Sequence, residues 1–489
     1  MEDSNLRAKT ISSLFFRFSE RILAQVTSLV VSIILARLLS PDDYGVISLI
    51  MILITICDIL VTYGFGNALI QKKDADQIDF SSCFYASLAI AIGLYLILFF
   101  TAKHIATYFD VSILKPIIKI MGIRVVVGAY NTIQHAYVSR HMMFKKFFFS
   151  TLFGTLIAGL CAVFMAYKGF GIWALVANYL VNTFIDTIIL SFTIKWRPIF
   201  AFSFDRVKSL FSFGWKILLS GLIGQISNEV RSIVIAKRYT SADLAFYNKG
   251  ESFPKLFSTQ INTTISSVLF PVISNSQDNP ETMKRVVRRG IKTITFLMTP
   301  MLLGLAAIGE PFVTVLLTDK WLPAVPFIRV FCLVYLLKPF AQLGEAFLNG
   351  IGESGLILKI GIVNKTLSLS LLIIAFSFGP FAIAVSALMV EIVNTAFMVY
   401  YFHRLISYTI KEQFKDLAPI YFIGCVMFAG VYSLHFIPMH DLVTMITQIA
   451  IGGVVYISLA KVIKIDSLDY VIQLARHYLR KNRKGDEKE

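Results

Sequence analysis

The sequence has few charged residues, and the common motifs of enzymes are missing from it. Asp, Glu, Lys and Arg make up 16% of the 489 residues, against roughly 25% in soluble domains. No Gly-rich loop ends in Gly-Lys-Ser or Gly-Lys-Thr, so the sequence indicates no ATPase of the P-loop class. The seven histidines are scattered and form no His-Glu-x-x-His motif. We therefore predict a protein that is not an enzyme and that needs neither a metal nor another cofactor.

Cysteine is also scarce, and its placement argues against a disulfide framework. All five cysteines lie in apolar stretches, and no two of them form a Cys-x-x-Cys pair. We interpret them as small buried hydrophobic side chains. The chain begins with the polar segment Met1 to Asn5, and no small-residue cleavage site follows, so we expect no cleavable signal peptide.

Apolar residues, in contrast, dominate the sequence. They make up 56% of the chain and form runs of about 20 residues, the length that a helix needs to cross a bilayer. Strands of a membrane β-barrel would alternate in segments of about ten residues, which these runs do not do. The predicted fold class is an all-α polytopic membrane protein with about 14 transmembrane helices. We place them at roughly 12–38, 45–70, 81–102, 113–137, 147–168, 171–194, 214–238, 245–273, 291–318, 326–350, 355–378, 380–403, 415–437 and 441–463.

The basic residues predict the orientation of these helices. Alternate connections carry clusters of cations, such as Lys72 and Lys73. The opposite connections hold only scattered ones, such as Lys103 and Lys320. By the positive-inside rule, both termini then lie in the cytoplasm. The net charge of +16 therefore indicates topology rather than a nucleic-acid partner, because the cations lie in short connections.

Two stretches of the sequence indicate an internal repeat. Each is an apolar helix with polar residues inside it, and the two lie 200 residues apart. The matched pairs are Gln25 with Gln225, Ala36 with Ala236, Arg37 with Lys237 and Asp43 with Asp243. We interpret the chain as two related helical bundles that meet across a polar cavity, with the connection 195–213 between them. The aromatic and basic residues of that connection fit an amphipathic element on the cytoplasmic face or an ordinary basic loop.

Several short motifs resemble a known family. The segments 35–39 (Leu-Ala-Arg-Leu-Leu), 44–45 (Tyr-Gly) and 64–71 (Gly-Phe-Gly-Asn-Ala-Leu-Ile-Gln) look like the opening of the Wzx-type polysaccharide flippases. Asp58 between them fits the same pattern. These flippases belong to the multidrug/oligosaccharidyl-lipid/polysaccharide exporter superfamily. Later motifs are similar to its colanic-acid exporter branch: Tyr247-Asn248, Leu269-Phe270-Pro271, and Lys320-Trp321 followed by Pro326.

This resemblance implies a V-shaped transporter of two pseudo-symmetric six-helix bundles plus two C-terminal helices. On this chain the parts would be an N-terminal bundle at 1–205, a C-terminal bundle at 206–404, two additional transmembrane helices at 405–465 and a basic cytoplasmic tail at 466–489. The implied activity is the flipping of undecaprenyl-diphosphate-linked oligosaccharide across the bacterial plasma membrane, from the cytoplasmic to the outer leaflet. The implied partners are this lipid-linked substrate, membrane lipid and other polysaccharide assembly proteins.

Cations inside the predicted spans are the main functional signal. A cation within the membrane is costly, and a diphosphate would need such groups to leave the headgroup region. The candidates for a cationic substrate-binding cavity are Arg17, Arg21, Arg124, Lys216, Arg231, Lys338 and Lys365. Arg17 and Arg21 are four residues apart and therefore share a helix face. In the alternative interpretation, these two side chains reach back to the cytoplasmic interface.

Three carboxylates inside predicted spans are candidates for coupling transport to an ion. Asp58 lies in the middle of the second span, and Glu345 and Glu391 lie in later ones. Such a group can exchange a proton near neutral pH because desolvation disfavours its charged form. The alternative is structural, with each carboxylate pairing with a cation or capping a broken helix.

Three other functions are compatible with parts of this pattern. A drug/cation antiporter of the same superfamily would need an anionic cavity, whereas cations match or outnumber acids in the predicted spans. A membrane-embedded polysaccharide polymerase or ligase would carry a long outer loop, and every predicted outer loop is short. A scaffold of a polysaccharide assembly complex would not need charges inside the membrane.

Overall fold

The computed structural model describes residues 23–62, 65–274 and 279–473, and the secondary structure of these ranges is helical. The first helix, α1, is Leu23–Leu38. The next fifteen are α2 Pro41–Thr62, α3 Gly66–Gln71, α4 Gln77–Tyr108, α5 Leu114–Arg140, α6 Phe144–Tyr167, α7 Ile172–Thr193, α8 Phe204–Arg238, α9 Ser241–Ser274, α10 Pro280–Ala307, α11 Gly309–Leu317, α12 Val325–Gly350, α13 Ser354–Ala375, α14 Pro380–Ile406, α15 Ile410–Ser433 and α16 Asp441–Val462. Short 3-10 helices lie at Asp319–Ala324 and Leu434–Phe436. Residues 466–473 are helical and are labelled α17. The predicted all-α class is confirmed.

The helices identify a multi-pass membrane protein. Among the described residues, 11 helical segments are long and apolar enough to cross a membrane, and counting the bent helix α8 gives 12. The predicted number of about 14 is not confirmed. The difference lies in α1, whose predicted span begins outside the described residues, and in α9, which is not among the apolar segments. Lys249, Glu251 and Lys255 make the first turns of α9 polar.

The bend in α8 falls in the connection that the sequence marks as amphipathic or as a loop. The segment Phe204–Ser212 meets Gly214–Arg238 at 53°. The first segment is a helix, so the loop interpretation does not hold there. It buries Leu210, and it leaves Phe204 and Phe211 exposed. An exposed aromatic face of this kind suits the boundary between lipid and water, and its cytoplasmic position stays a prediction.

The connection that precedes α8 is fixed to the helices before it. Trp196 is 2% exposed, and its ring lies 6.1 Å from that of Phe80 and 5.9 Å from that of Tyr130. The backbone N–H of Ser203 donates to the Ser82 hydroxyl at 3.0 Å. Buried aromatic area and satisfied backbone groups hold a segment in place. The connection is therefore a packed part of the first unit.

Two helix starts that lie 200 residues apart in the sequence share one capping geometry. At the start of α2, Oδ2 of Asp43 accepts from the backbone N–H of Ser40 at 3.1 Å and from its hydroxyl at 2.7 Å. At the start of α9, Oδ2 of Asp243 accepts from the same groups of Thr240 at 3.1 and 2.8 Å. Each arrangement satisfies donors that the first helical turn leaves unpaired. The repeat detected in the sequence thus recurs as local structure at these two positions.

The starts of α2 and α9 also touch, at a glycine. A Cβ atom added to Gly45 would lie 1.8 Å from the carbonyl oxygen of Ser241. Only a residue without a side chain allows the two backbones to approach so closely. Near this contact Lys237 donates to the carbonyl oxygen of Tyr108 and lies 4.3 Å from the centre of its ring.

The described residues divide into two compact units, one up to Ala245 and the other from Phe246. In the first unit α8 packs against α2, α3 and α4. The sequence predicts a boundary after residue 205 instead. The division into two six-helix bundles stays a prediction. In the second unit α10 packs against α12 and α15, and α12 packs against α14. Phe347 and Phe402 are buried in its core with ring centres 5.6 Å apart.

Candidate functional site

A polar cavity of about 460 Å³ lies among the membrane-spanning helices of the first unit. Helices α2, α3, α5 and α7 line it. Its polar lining residues are Asp58, Thr62, Asn67, Arg124, Asn131, Thr132, His135, Ser139, Asn182, Thr183 and Asp186. A cavity of this size with so many polar groups is unusual inside a membrane protein, where each such group must find a partner or face water. This cavity is the candidate functional site.

The lining residues meet because each helix repeats polar residues at helical spacing. On α5, Arg124, Asn131 and His135 occur at intervals of seven and four residues, which places them on one face. On α7, Asn182 and Asp186 are four residues apart and likewise share a face. Neighbouring helices direct these faces toward each other, and small residues keep the space open. A Cβ at Gly128 would lie 3.8 Å from Oδ1 of Asp58.

Arg124 is the cation of the cavity, and Asp58 is its partner. The Arg124 Nη1 group donates to Oδ2 of Asp58 at 2.8 Å, and Nε donates to the Thr183 hydroxyl at 3.1 Å. The two charged side chains are 21% and 31% exposed, so they are partly withdrawn from their surroundings. The contact joins α5 to α2 and α7. It also fixes the plane of the guanidinium group.

Arg124 retains hydrogen-bonding capacity toward the cavity. A guanidinium group has five N–H donors in a planar arrangement, and Asp58 and Thr183 accept from two of them. The other three have no protein acceptor in the described part of the chain. An anion that entered the cavity could therefore bind Arg124 without displacing Asp58.

Asp186 forms a second polar cluster in the same cavity. Its Oδ2 accepts from Asn131 Nδ2 at 2.8 Å and lies 2.9 Å from His135 Nε2. The short contact to a carboxylate places the hydrogen on Nε2. The Asp186 side chain is 12% exposed and that of His135 is 41% exposed. The cavity is thus lined by a largely buried carboxylate in contact with a more exposed imidazole.

The charges of the cavity balance closely. Arg124 opposes Asp58, and Asp186 is balanced only when His135 carries a proton. Among the described residues that line it, the cavity is therefore close to neutral, and the cationic substrate-binding cavity that the sequence indicates stays a prediction. Its remaining donors and acceptors are amides and hydroxyls, such as those of Asn131 and Thr132. Such a surface suits a polar ligand that carries both hydroxyl groups and a localised negative charge.

The structure places only some of the other predicted cations of the first unit. Arg17 and Arg21 belong to the residues that the structure does not describe. Lys216 and Arg231 lie on α8, with Lys216 exposed and Arg231 half-buried. Neither of these two lines the cavity.

In the second unit, three predicted residues come close together. Lys338 lies within electrostatic range of Glu391, which is also in range of Glu345. The Lys338 ammonium lies 4.2 Å from the centre of the Tyr335 ring. Glu391 is 9% exposed and accepts from Asn394 at 3.4 Å. The remaining predicted cation, Lys365, is exposed on α13.

The sequence singled out Arg124 and Asp58 but gave no site role to Asp186, His135 or Asn131. The spacing on α5 could have indicated His135 and Asn131 as site residues, because a cation, an amide and an imidazole on one face of a predicted span form a polar stripe. The sequence gives His135 no ligand role, because no metal motif surrounds it. Within the described ranges, no group of three His, Cys, Asp or Glu side chains could hold a metal ion.

A model of the family described as polysaccharide biosynthesis protein matches residues 34–326, which is more than half of the chain. The chain belongs to this family. The match includes α2, α3, α5 and α7, and so every helix that lines the cavity in the described part of the chain. The resemblance inferred from the opening motifs is confirmed.

Curated relatives agree with this assignment. The succinoglycan biosynthesis transport protein ExoT of Rhizobium meliloti (strain 1021) is 25% identical over 324 residues, which is 66% of each chain and so just under two thirds of that protein. The lipopolysaccharide biosynthesis protein WzxC of Escherichia coli (strain K12) is 22% identical over 398 residues, or 80% of each chain.

Solved structures establish the fold. The inward closed conformation of the lipid II flippase MurJ matches with a TM-score of 0.74 at 16% identity, and the match covers 93% of this chain and 99% of that one. An inward-facing MATE family multidrug resistance transporter of the MOP superfamily matches with a TM-score of 0.63 at 14% identity, covering 80% of this chain and 98% of that one. The family member described here therefore has the fold of the MOP superfamily transporters.

Proposed function

We propose that the protein flips undecaprenyl-diphosphate-linked oligosaccharide repeat units across the bacterial plasma membrane, from the cytoplasmic to the outer leaflet, by alternating access. Family membership and the transport proteins among the relatives support this proposal. The observation that carries it is a guanidinium group with unused donors in a polar cavity between membrane-spanning helices. A lipid-linked sugar phosphate brings the hydroxyl groups and the negative charge that such a cavity accommodates.

In this proposal Arg124 binds a phosphate oxygen of the diphosphate, and Asp58 is a positioning residue. Asp58 holds one edge of the guanidinium group, so the free edge presents a planar fork to the phosphate. Asn131 and Asp186 contribute hydrogen bonds to sugar hydroxyls. The remaining cations that the sequence indicates would act elsewhere along the route: Arg17, Arg21, Lys216, Arg231, Lys338 and Lys365. Glu345 and Glu391 stay candidates for ion coupling, as does Asp58.

The family context also favours transport without catalysis. We propose that both termini face the cytoplasm, because the basic residues concentrate on that side of the predicted spans. Other polysaccharide assembly proteins are the expected partners, since flipped repeat units must be supplied and consumed by enzymes on the two sides of the membrane. Labelling of single cysteines placed in the terminal segments, with a reagent that does not cross the membrane, would test the orientation.

One observation favours a second function, a drug/cation antiporter of the same superfamily. Among its described lining residues, the cavity holds two carboxylates, Asp58 and Asp186, against one permanent cation. A cationic drug could bind the Asp186 carboxylate. Efflux of a cationic dye from cells that express the protein would support this alternative, particularly if Asp186→Asn abolished it.

A reconstituted assay tests the flippase proposal directly. Liposomes with the purified protein would contain a fluorescent lipid-linked oligosaccharide, and a membrane-impermeant quencher would report its movement between leaflets. We expect protein-dependent flipping that Arg124→Ala reduces at least about tenfold, since a charge-assisted contact contributes about that much. Lys115→Ala is the matched control, because Lys115 is exposed on the same helix outside the cavity. Equal flipping by wild type and Arg124→Ala would contradict the assignment of Arg124.

A further inference from the structure

A second cavity lies in the other unit, at the end of a membrane-spanning helix. It measures about 410 Å³ and is bounded by the first half of α10 and by α17. Four cations line it: Arg285, Arg288, Arg289 and Lys292. The flipping activity proposed above assigns no role to these residues.

Two of the four cations are already neutralised. Arg288 forms two hydrogen bonds with Asp416, from Nε at 2.5 Å and from Nη2 at 2.7 Å. Lys292 donates to Asp466 at 2.9 Å and lies 3.8 Å from Asp416. The hydrogen bond from Lys292 holds the pKa of Asp466 below its usual range, so this carboxylate stays ionised at neutral pH. These contacts hold the side chains of Arg288 and Lys292 in place at the cavity.

In the part of the chain that the structure describes, the other two cations have no carboxylate partner. Arg285 and Arg289 are four residues apart, so they share one face of α10, and both are exposed. No ion pair is recorded for either of them in the described ranges. The Arg289 guanidinium lies 3.9 Å from the centre of the Tyr470 ring, which orients it at the cavity edge. Among the described residues, the cavity therefore carries two uncompensated positive charges, and Tyr470 orients one of them.

The position of the cavity along α10 indicates what it binds. No charged residue occurs from Thr293 to Ala307, so this part of the helix lies in the hydrocarbon. The arginines precede it by a turn or two, at the depth where lipid headgroups lie. Planar guanidinium groups bind phosphate oxygens in pairs, and Tyr470 is a side chain typical of that interface.

We propose that this cavity binds a phosphate ester, supplied by the headgroup of an anionic membrane lipid, between Arg285 and Arg289. Its volume falls within the range of pockets that enclose small ligands. The bound phosphate bridges α10 to α17 beside the contact between Lys292 and Asp466. Anionic lipid thereby stabilises the packing of α17 against α10.

The test uses the purified full chain in a neutral detergent and measures its melting temperature against added lipid. Phosphatidylglycerol supplies the anionic headgroup, and phosphatidylcholine supplies a phosphate without net charge. Soluble glycerol phosphate separates the lipid source from the phosphate ester alone. The variant is Arg285→Gln with Arg289→Gln. The matched control is Arg404→Gln with Lys411→Gln, which removes two exposed cations of the same unit outside the cavity.

We expect phosphatidylglycerol to raise the melting temperature of the wild type and of the control in a saturable way. Phosphatidylcholine and glycerol phosphate at equal concentration should have no such effect. The apparent affinity for phosphatidylglycerol should fall about tenfold or more in the double arginine variant, whose melting temperature without lipid stays unchanged. Equal stabilisation of wild type and arginine variant would overturn the site. Equal stabilisation by glycerol phosphate would overturn the lipid source and leave a soluble phosphate ester as the ligand.

Discussion

Arg124 on α5 and Asp58 on α2 form an ion pair with 2.8 Å between Nη1 and Oδ2, inside the polar cavity of the first unit. The pair gives Arg124 a fixed orientation and leaves three of its N–H groups for a ligand. The sequence predicts Asp58 as an ion-coupling group or as a structural partner of a cation; this contact supplies the cation of the second interpretation, and the coupling role stays a prediction. The two residues must therefore be tested together.

Removing either member of the pair should destabilise the protein. Asp58→Ala leaves the guanidinium group without its carboxylate, and Arg124→Ala leaves the carboxylate without its guanidinium group. Each change should therefore lower the free energy of unfolding by about 1–3 kcal/mol at this partly exposed site. The double variant should be more stable than the sum of the single effects indicates. Thermal unfolding of the four proteins in detergent measures this coupling. Strictly additive effects would show that the pair contributes no stability.

Asp186 should matter for the integrity of the cavity. Asn131 and His135 both bind its Oδ2 atom, so Asp186→Ala leaves two donors without an acceptor and should cost about 2–3 kcal/mol. Asp186→Asn retains one carbonyl oxygen and should cost less. The melting temperatures of the two variants compare these costs directly, and equal values would mean that the hydrogen bonds are not the reason for the loss.

The contact between α2 and α9 should tolerate no side chain at Gly45. Gly45→Ala places a Cβ atom against the Ser241 carbonyl oxygen, so the helices must separate at a cost of about 1–3 kcal/mol. Gly93→Ala is the control, because a Cβ at Gly93 meets no atom within 4 Å. Thermal unfolding measurements should show a loss of stability for Gly45→Ala and none for Gly93→Ala. A stable Gly45→Ala protein would mean that the two helix starts are not in contact.

The connection before α8 should loosen when its aromatic anchor is removed. Trp196 is buried against Phe80 and Tyr130, and Trp196→Ala should cost about 3–5 kcal/mol. Limited proteolysis should then cut the chain between residues 197 and 203 faster than in the wild type. Trp215→Ala, at an exposed position, should leave the cleavage rate unchanged. Identical cleavage of the two variants would argue that the connection is not held by Trp196.

One ion pair near the start of α4 should make stability depend on acidic pH. A hydrogen bond from Arg206 holds the pKa of Asp76 below its ordinary value. A depressed pKa in the folded state contributes stability above the unfolded pKa of about 3.9, and this stability is lost as pH falls through the lower folded value. Arg206→Gln should make the melting temperature depend less on pH in this window. Lys208→Gln, at an exposed neighbouring position, should leave the pH dependence unchanged. Parallel curves for wild type and Arg206→Gln would contradict the pair.

The sequence predicted the helical membrane fold because apolar runs of membrane length require no knowledge of packing. It could not predict the balance of charge in the cavity, because the partner of Arg124 lies 66 positions away on another helix. The stripe formed by Arg124, Asn131 and His135 was readable from spacing alone. The approach of Gly45 to Ser241 was not, since it depends on how two helix starts pack.

The central claim is that Arg124 binds the substrate and that Asp58 holds the guanidinium group of Arg124 in place. Flipping by Asp58→Ala combined with Arg124→Ala, assayed in liposomes at equal amounts of folded protein, tests this claim most directly. The account predicts that the double variant folds nearly as well as the wild type but flips lipid-linked oligosaccharide at a rate at least about tenfold lower. Flipping at the wild-type rate would show that the pair is structural and that the substrate phosphate binds elsewhere.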